Sequence, residues 1–209
     1  MDSNYTHLVL VVDRSGSMGK TREEAQGGIN SFLKKQKEVG GKCTLSIYEF
    51  DHEINKVCSC VDVSTIQNEY MLNPRGYTAL YDAVGMSLSE TCSFVDSLDE
   101  DFKPGTVVIC IVTDGFENHS REYNLDKVKS LVENCKSRKW DVTFLGSDLS
   151  TQEQAKSMGF SHDVVLQYNA AKTGQTYDCF SEKVSGLRSM KMQGIEASLS
   201  YSVEYKKNV

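Results

Sequence analysis

No stretch of this 209-residue chain contains the roughly 18 consecutive apolar residues needed for a membrane-spanning helix, so no span is expected. The opening Met1-Asp-Ser-Asn4 has no basic region running into an apolar segment. A secretory leader is therefore not expected, and a reducing cytoplasmic setting is. Positive charge is in deficit: 23 Lys and Arg stand against 29 Asp and Glu, a net charge of −6. A nucleic-acid backbone requires a basic face, which argues against it as the main partner. Proline is scarce, at two residues, and no linker rich in Pro, Gly or Ser divides the chain, so residues 1–194 read as one domain.

Several catalytic signatures are missing as well. There is no Walker-type phosphate loop, no Gly-x-Gly-x-x-Gly after a strand and no Gly-x-Ser-x-Gly elbow. The seven cysteines fit neither a disulfide framework nor zinc. Cys43 and Cys110 sit in apolar strand patterns, and Cys92 and Cys135 on buried helix stripes, where a thiol serves as a small hydrophobe. Cys58 and Cys60 should share one strand face, but no second Cys or His pair stands nearby.

What the chain does have is an alternation of apolar strands and amphipathic helices. Leu8 to Val12 is an unbroken apolar run, read as a strand buried on both faces. Ala25, Ile29, Phe32 and Leu33 mark a helix from about Lys20 to Glu38, stopped by Gly40-Gly41. Lys42 to Phe50 and Ile54 to Val61 are strands joined by a tight turn, which makes the pair antiparallel and the second strand an edge. A loop over residues 64–76 leads to a helix with Leu80, Val84, Leu88, Cys92 and Val95 inward. Thr106 to Thr113 is a second central strand, and Asn124 caps the helix that follows it. Asp141 to Leu145 and Asp163 to Leu166 are further strands. Between them, Ser150-Thr-Gln-Glu153 has the spacing of a capping box for a short helix. Tyr177, Phe180, Val184 and Leu187 line a final helix. This order predicts an α/β protein: a Rossmann-like, doubly wound, mostly parallel sheet with one antiparallel edge strand and helices on both faces.

The first apolar strand ends in Asp13-Arg-Ser15-Gly-Ser17. In open α/β sheets, ligands bind in the crevice beyond the carboxyl ends of the strands. Alternate residues of an extended turn face one way, so Asp13, Ser15 and Ser17 can converge while Arg14 points elsewhere. A carboxylate and two hydroxyls are hard oxygen donors suited to Mg²⁺ or Mn²⁺. Two later pieces belong with them: Gly76-Tyr-Thr78-Ala-Leu-Tyr-Asp82, and Val112-Thr-Asp114-Gly115 at the end of the second buried strand.

Together these motifs resemble the von Willebrand factor A domain and its metal-ion-dependent adhesion site. The resemblance runs from about Tyr5 to about Arg188 and is nearest to stand-alone bacterial and phage-type domains. It implies metal ligands at Asp13, Ser15, Ser17, Thr78 and Asp114, and a protein partner whose acidic side chain completes the coordination of Mg²⁺ or Mn²⁺. Stand-alone domains of this kind resemble adaptors, including ones that work with AAA+ ATPases. The alternatives are a Mg²⁺-dependent hydrolase and a structural subunit with a purely stabilising metal. The hydrolase is disfavoured because Ser15 stands where an Asp-x-Asp phosphotransferase needs its second acid.

Four residues around the ligand set carry further expectations. Asp82 could support the site by hydrogen bonding from behind, or could simply complement a helix dipole. Arg14 and Tyr77 should point outward as partner contacts, with Glu117 on the same rim. Beyond Gly194, the odd positions from Ile195 to Tyr205 are apolar and the even ones polar, which predicts a strand-like tail over residues 195–209. Such a strand must pair with an edge, either the chain's own strand near Ile54 to Val61 or that of a second copy or a partner, so a monomer or a weak homodimer is expected.

Overall fold

The structure is a computed structural model that describes residues 1–146, 149–167 and 173–202. Its strands are β1 (Asp2–Asp13), β2 (Lys42–Phe50), β3 (Ile54–Asp62), β4 (Pro104–Thr113), β5 (Asp141–Gly146) and β6 (Val165–Gln167). Its α-helices are α1 (Arg22–Glu38), α2 (Leu80–Asp96), α3 (Leu125–Ser137), α4 (Leu149–Ser157) and α5 (Thr173–Met192). The sheet order is β3-β2-β1-β4-β5-β6. Among the described residues, only the β2–β3 pair is antiparallel.

The apolar run of β1 is buried on both faces because successive side chains alternate across the sheet. Leu8, Leu10 and Val12 join a cluster with Phe32 of α1 and Phe180 of α5. Val9 and Val11 join another with Val84 of α2 and Val128 of α3. Phe32 and Phe180 stack at 4.7 Å between centroids, fixing α1 against α5. Gly28 makes that approach possible, since a Cβ there would lie 2.3 Å from the Tyr177 ring.

An unforeseen buried cation ties the same two helices. Arg188, 1% exposed, donates to the Gln36 carbonyl at 2.7 Å, to its Oε1 at 3.0 Å and to the Gly40 carbonyl at 2.8 Å. These acceptors lie at the C-terminal end of α1, where carbonyls lack helical partners and the dipole favours a cation.

Three local expectations need correction. Cys58 and Cys60 do not share a face. The β2–β3 register shifts here and Cys60 has a positive φ of 52°, so Cys58 packs on the α1/α5 cluster while Cys60 meets Ser46 on the other side. Such a bulge inserts a residue and breaks the two-residue alternation. Ser150 lies within α4 rather than capping it, because the helix already includes Leu149.

The tail differs most. Its burial alternates as its sequence does, with Leu199 and Tyr201 buried and Ser198, Ser200 and Ser202 exposed. Residues 195–202 nevertheless form no strand, and they lie at the β5–β6 end of the sheet, far from β3. Leu199 N–H donates to Asp141 Oδ1 at 2.6 Å and Tyr201 N–H to the Asp163 carbonyl at 2.8 Å. The chain leaves α5 on that side, where a buried carboxylate takes the backbone donor that a ladder would otherwise satisfy. The rest of the expected strand, 203–209, lies outside the described residues. Among the described residues, no helix is long and apolar enough to cross a membrane.

Candidate metal centre

The carboxyl ends of β1 and β4 are neighbours in register, with Val12 beside Val112, which brings Asp13 and Asp114 to one end of the sheet. Asp13 is fully buried. Its Oδ1 accepts the Ser15 N–H at 2.6 Å and its Oδ2 the Thr113 hydroxyl at 2.5 Å. Burial pushes its carboxyl up to about 6, against the pull of these two donors. An anion held there costs stability until a positive charge joins it. Ser15 and Ser17 hydroxyls lie 2.9 Å apart, although the segment is not the extended turn expected: Ser15 leads into a 3-10 turn, Gly16–Lys20, that carries Ser17.

Thr78 arrives from the loop before α2. The Arg75 N–H donates to the Arg14 carbonyl at 2.6 Å and the Gly16 N–H to the Gly76 carbonyl at 3.2 Å, joining the first and second motif loops. Asn118 grips Thr78 from the other side. Its Oδ1 accepts the Thr78 N–H at 2.9 Å, and its own N–H donates to the Thr78 carbonyl at 3.0 Å.

Gly115 shows how closely the donors converge. A Cβ added there would stand 2.9 Å from Thr78 Oγ1, 3.2 Å from Asp13 Oδ2 and 3.3 Å from Ser17 Oγ. Oxygens of the first and second motifs therefore surround one small space beside Gly115, in the third, that only a glycine leaves open. Hard oxygens around a space of this size fit a small divalent cation that retains water.

The surrounding residues depart from expectation. Arg14 does not reach outward: its Nε lies 3.0 Å from Asp51 Oδ2 and its Nη1 3.5 Å from Glu49 Oε2. Arg75 joins Asp51 at 2.7 Å, and Tyr70 donates to Glu49 at 2.8 Å. Two buried acids at the end of β2 thus draw the Arg14 guanidinium inward and hold that of Arg75 at the surface above them, since an unpaired buried charge is costly. Asp51, His52 and Glu53 also group closely enough to suggest a second cation site. Arg14 and Arg75 already neutralise Asp51 there.

Glu117 is likewise turned in. It accepts the Tyr81 N–H at 2.8 Å at the start of α2, and the His119 and Ser120 N–H groups at 2.9 and 2.7 Å. Asp82 bonds none of the expected ligand oxygens. It accepts the N–H groups of Arg121, Glu122 and Tyr123 at 2.8, 2.9 and 2.7 Å, pinning the loop that follows Asp114. Tyr77 is exposed as expected, at 63%, and stacks on His119 at 5.2 Å. Sequence reasoning missed Thr113, Gly115 and Asn118. The first two flank Asp114 directly, so the signal was adjacency to a motif; nothing local marks Asn118.

No protein-family model and no curated protein matches the sequence. Solved structures do resemble the fold. The vWF domain of the type V pili tip protein Mfa5 from Porphyromonas gingivalis is 12% identical, with a TM-score of 0.66 over 92% of this chain and 96% of that one. Proximal thread matrix protein 1 from the mussel byssus is 13% identical, with a TM-score of 0.61 over 88% of this chain. The present chain spans about half of that protein, 47%. The manganese-loaded TRAP protein of Plasmodium vivax is 13% identical, with a TM-score of 0.54 over 84% of this chain and 72% of that one. At such identities the likeness is one of fold.

Proposed function

We infer that this chain, whose fold is that of the von Willebrand factor A domain, is a metal-dependent protein-binding module. The observation that carries this is the convergence of Asp13 Oδ2, Ser17 Oγ and Thr78 Oγ1 around the open side of Gly115. In this reading Asp13, Ser15, Ser17, Thr78 and Asp114 hold Mg²⁺ or Mn²⁺, which supplies an electrophilic centre for an acidic side chain of the partner. The chain's own residues do the rest. Thr113 and the Ser15 N–H fix the Asp13 carboxylate, Asn118 fixes Thr78, and Asp82 and Glu117 fix the loop after Asp114.

The rim offers Tyr77 and Phe116, exposed at 63% and 50%, as flat apolar surface beside the cation. Arg14 and Glu117 are structural and drop out of the contact set. The reading is non-catalytic: the Ser15 hydroxyl bonds to Ser17 rather than to a base, as a ligand pair would and an activated nucleophile would not. The partner is a protein, and the role we assign is that of an adaptor beside an AAA+ ATPase in the cytoplasm.

The test is capture of partners from a native lysate in Mg²⁺ against EDTA, repeated with Asp13→Ala and Thr78→Ala. A protein retained only in Mg²⁺, and lost with both variants, supports the reading. Capture that ignores EDTA or survives both substitutions refutes it. Turnover of phosphoesters or acyl esters that disappears in Asp13→Ala would replace the module by a hydrolase.

A further inference from the structure

At the end of the sheet opposite the cation site, the last turn of α3, the start of β5 and the segment after α5 enclose a cavity of about 480 Å³. Lys136, Lys139 and Lys191 line it with Trp140, Asp141 and Glu196. Three ammonium groups against two carboxylates make a locally positive place on a chain whose net charge is −6. The proposed cation site does not use this cluster.

One of the three lysines sits where a helix end favours glycine. Helices α1, α4 and α5 each have a glycine two residues beyond their last: Gly40, Gly159 and Gly194, with φ of 78°, 94° and 74°. After α3 that position is Lys139, at φ 58°. Its N–H donates to the Lys136 carbonyl at 2.9 Å, and the Trp140 N–H to the Cys135 carbonyl at 3.1 Å. This is the helix-ending pattern that glycine usually closes, because a Cβ is crowded in the left-handed backbone. The fold gains little from the side chain in return, since its ion pair with Glu196, at 2.8 Å, joins groups 79% and 82% exposed. The other two ammonium groups also have hydrogens to give. Lys136 donates to the Gly159 carbonyl and has two more, and Lys191 enters no ion pair among the described residues. Between them Asp141, 7% exposed, accepts the Leu199 N–H on Oδ1, and a carboxylate can accept on both oxygens.

We propose that this cavity binds a small hydroxylated phosphate of the sugar phosphate class. The phosphate oxygens accept from Lys136, Lys139 and Lys191, as charge-assisted hydrogen bonds, and a hydroxyl of the ligand donates to Asp141. The exposed Glu196 gives up Lys139 to the phosphate. Both halves of the ligand are required by the donor set. A bare phosphate would face the Asp141 carboxylate with nothing to offer it, and an uncharged sugar would leave the lysines without a counter-charge. The volume lies within the range of small-ligand sites. A nucleotide is disfavoured because Trp140 presents no free platform for a base: the Arg138 guanidinium lies over its ring at 5.2 Å, and the side chain packs on the α2/α3 core.

The test titrates the full-length chain with ribose 5-phosphate, inorganic phosphate and ribose, each in EDTA so that the cation site does not contribute. Binding is read by calorimetry and by the emission of Trp140, the one tryptophan of the chain. Ribose 5-phosphate should saturate and change the emission, inorganic phosphate should bind more weakly, and ribose should not bind. Lys191→Ala should weaken ribose 5-phosphate about tenfold, the loss of one hydrogen bond to a charged group. Lys139→Gly should do the same while melting at a higher temperature than wild type without ligand, because it relieves the backbone as it removes the ammonium. A side chain kept only for the fold would not lose affinity as it gains stability. Wild-type titrations with ribose 5-phosphate that fail to saturate at millimolar concentration overturn the proposal without any variant. So does inorganic phosphate or ribose binding as tightly as ribose 5-phosphate, or an affinity unchanged in both Lys191→Ala and Lys139→Gly.

Discussion

Replacing Gly115 by alanine places one methyl group where the proposed cation sits. The new Cβ would lie 2.9 Å from Thr78 Oγ1, inside the roughly 3.5 Å of an unstrained contact. Overpacking of this kind costs about 1–3 kcal/mol, so the absolute melting temperature of the variant is a poor measure. The metal-dependent shift within each protein is the informative quantity. Metal at about 100 times its dissociation constant adds roughly 2.7 kcal/mol by linkage. With an unfolding entropy of about 2.1 cal/mol/K per residue over 209 residues, the wild-type protein should melt about 6 °C higher in Mg²⁺ or Mn²⁺ than in EDTA. Gly115→Ala should lose nearly all of that shift. Gly19→Ala is the control, because a Cβ at Gly19 meets nothing within 4 Å, and it should keep the full shift. Scanning calorimetry in both buffers decides. A wild-type response in Gly115→Ala would mean that the cation, if bound, sits elsewhere, and would falsify the site.

Three further outcomes are expected. Asp82→Ala removes the acceptor of three backbone N–H groups and should cost about 2–4 kcal/mol in urea unfolding, whereas a loss below about 0.5 kcal/mol would show that the loop holds itself. Arg188→Met keeps the length of a side chain that is 1% exposed but leaves the α1 carbonyls without their donor; a drop of about 2–3 kcal/mol should follow, and unchanged stability would reduce Arg188 to packing. For pH, burial lowers His7 to about 4 from an ordinary 6.5, so it contributes stability above pH 6.5 that is lost as pH falls toward 4. Asp13, raised to about 6, acts oppositely in metal-free protein and masks this. Asp13→Asn in EDTA should therefore unmask a fall of about 3 kcal/mol between pH 6.5 and 4, absent from Asp13→Asn/His7→Gln.

The architecture was readable because its signals are local. Runs such as Leu8 to Val12 and stripes such as Val128, Val132 and Cys135 report burial by periodicity alone. The three motif positions were legible because each directly follows or precedes such an element. Arg14 was misplaced because alternation along a turn says only that it faces away from Asp13. Its actual direction is set by Glu49, Asp51 and Arg75, from two other segments. The contacts of Glu117 and Asp82 were out of reach for the same reason: their oxygens are filled by N–H groups 36 to 41 residues away in sequence, those of Tyr81 and of Arg121 to Tyr123. The tail shows the complementary limit, for a period of two announces a buried face but does not name the edge it lies against.

Helix α1 starts directly behind the Ser17 turn and ends on the Arg188 guanidinium. Its 17 residues make a rod about 25 Å long with the Asp13–Ser17 segment at one tip and Arg188 of the last helix clamped to the other. Anything that tugs on α5, whether a fused tag, a neighbouring subunit or a truncation short of Arg188, therefore acts on a lever whose opposite end carries Ser15 and Ser17.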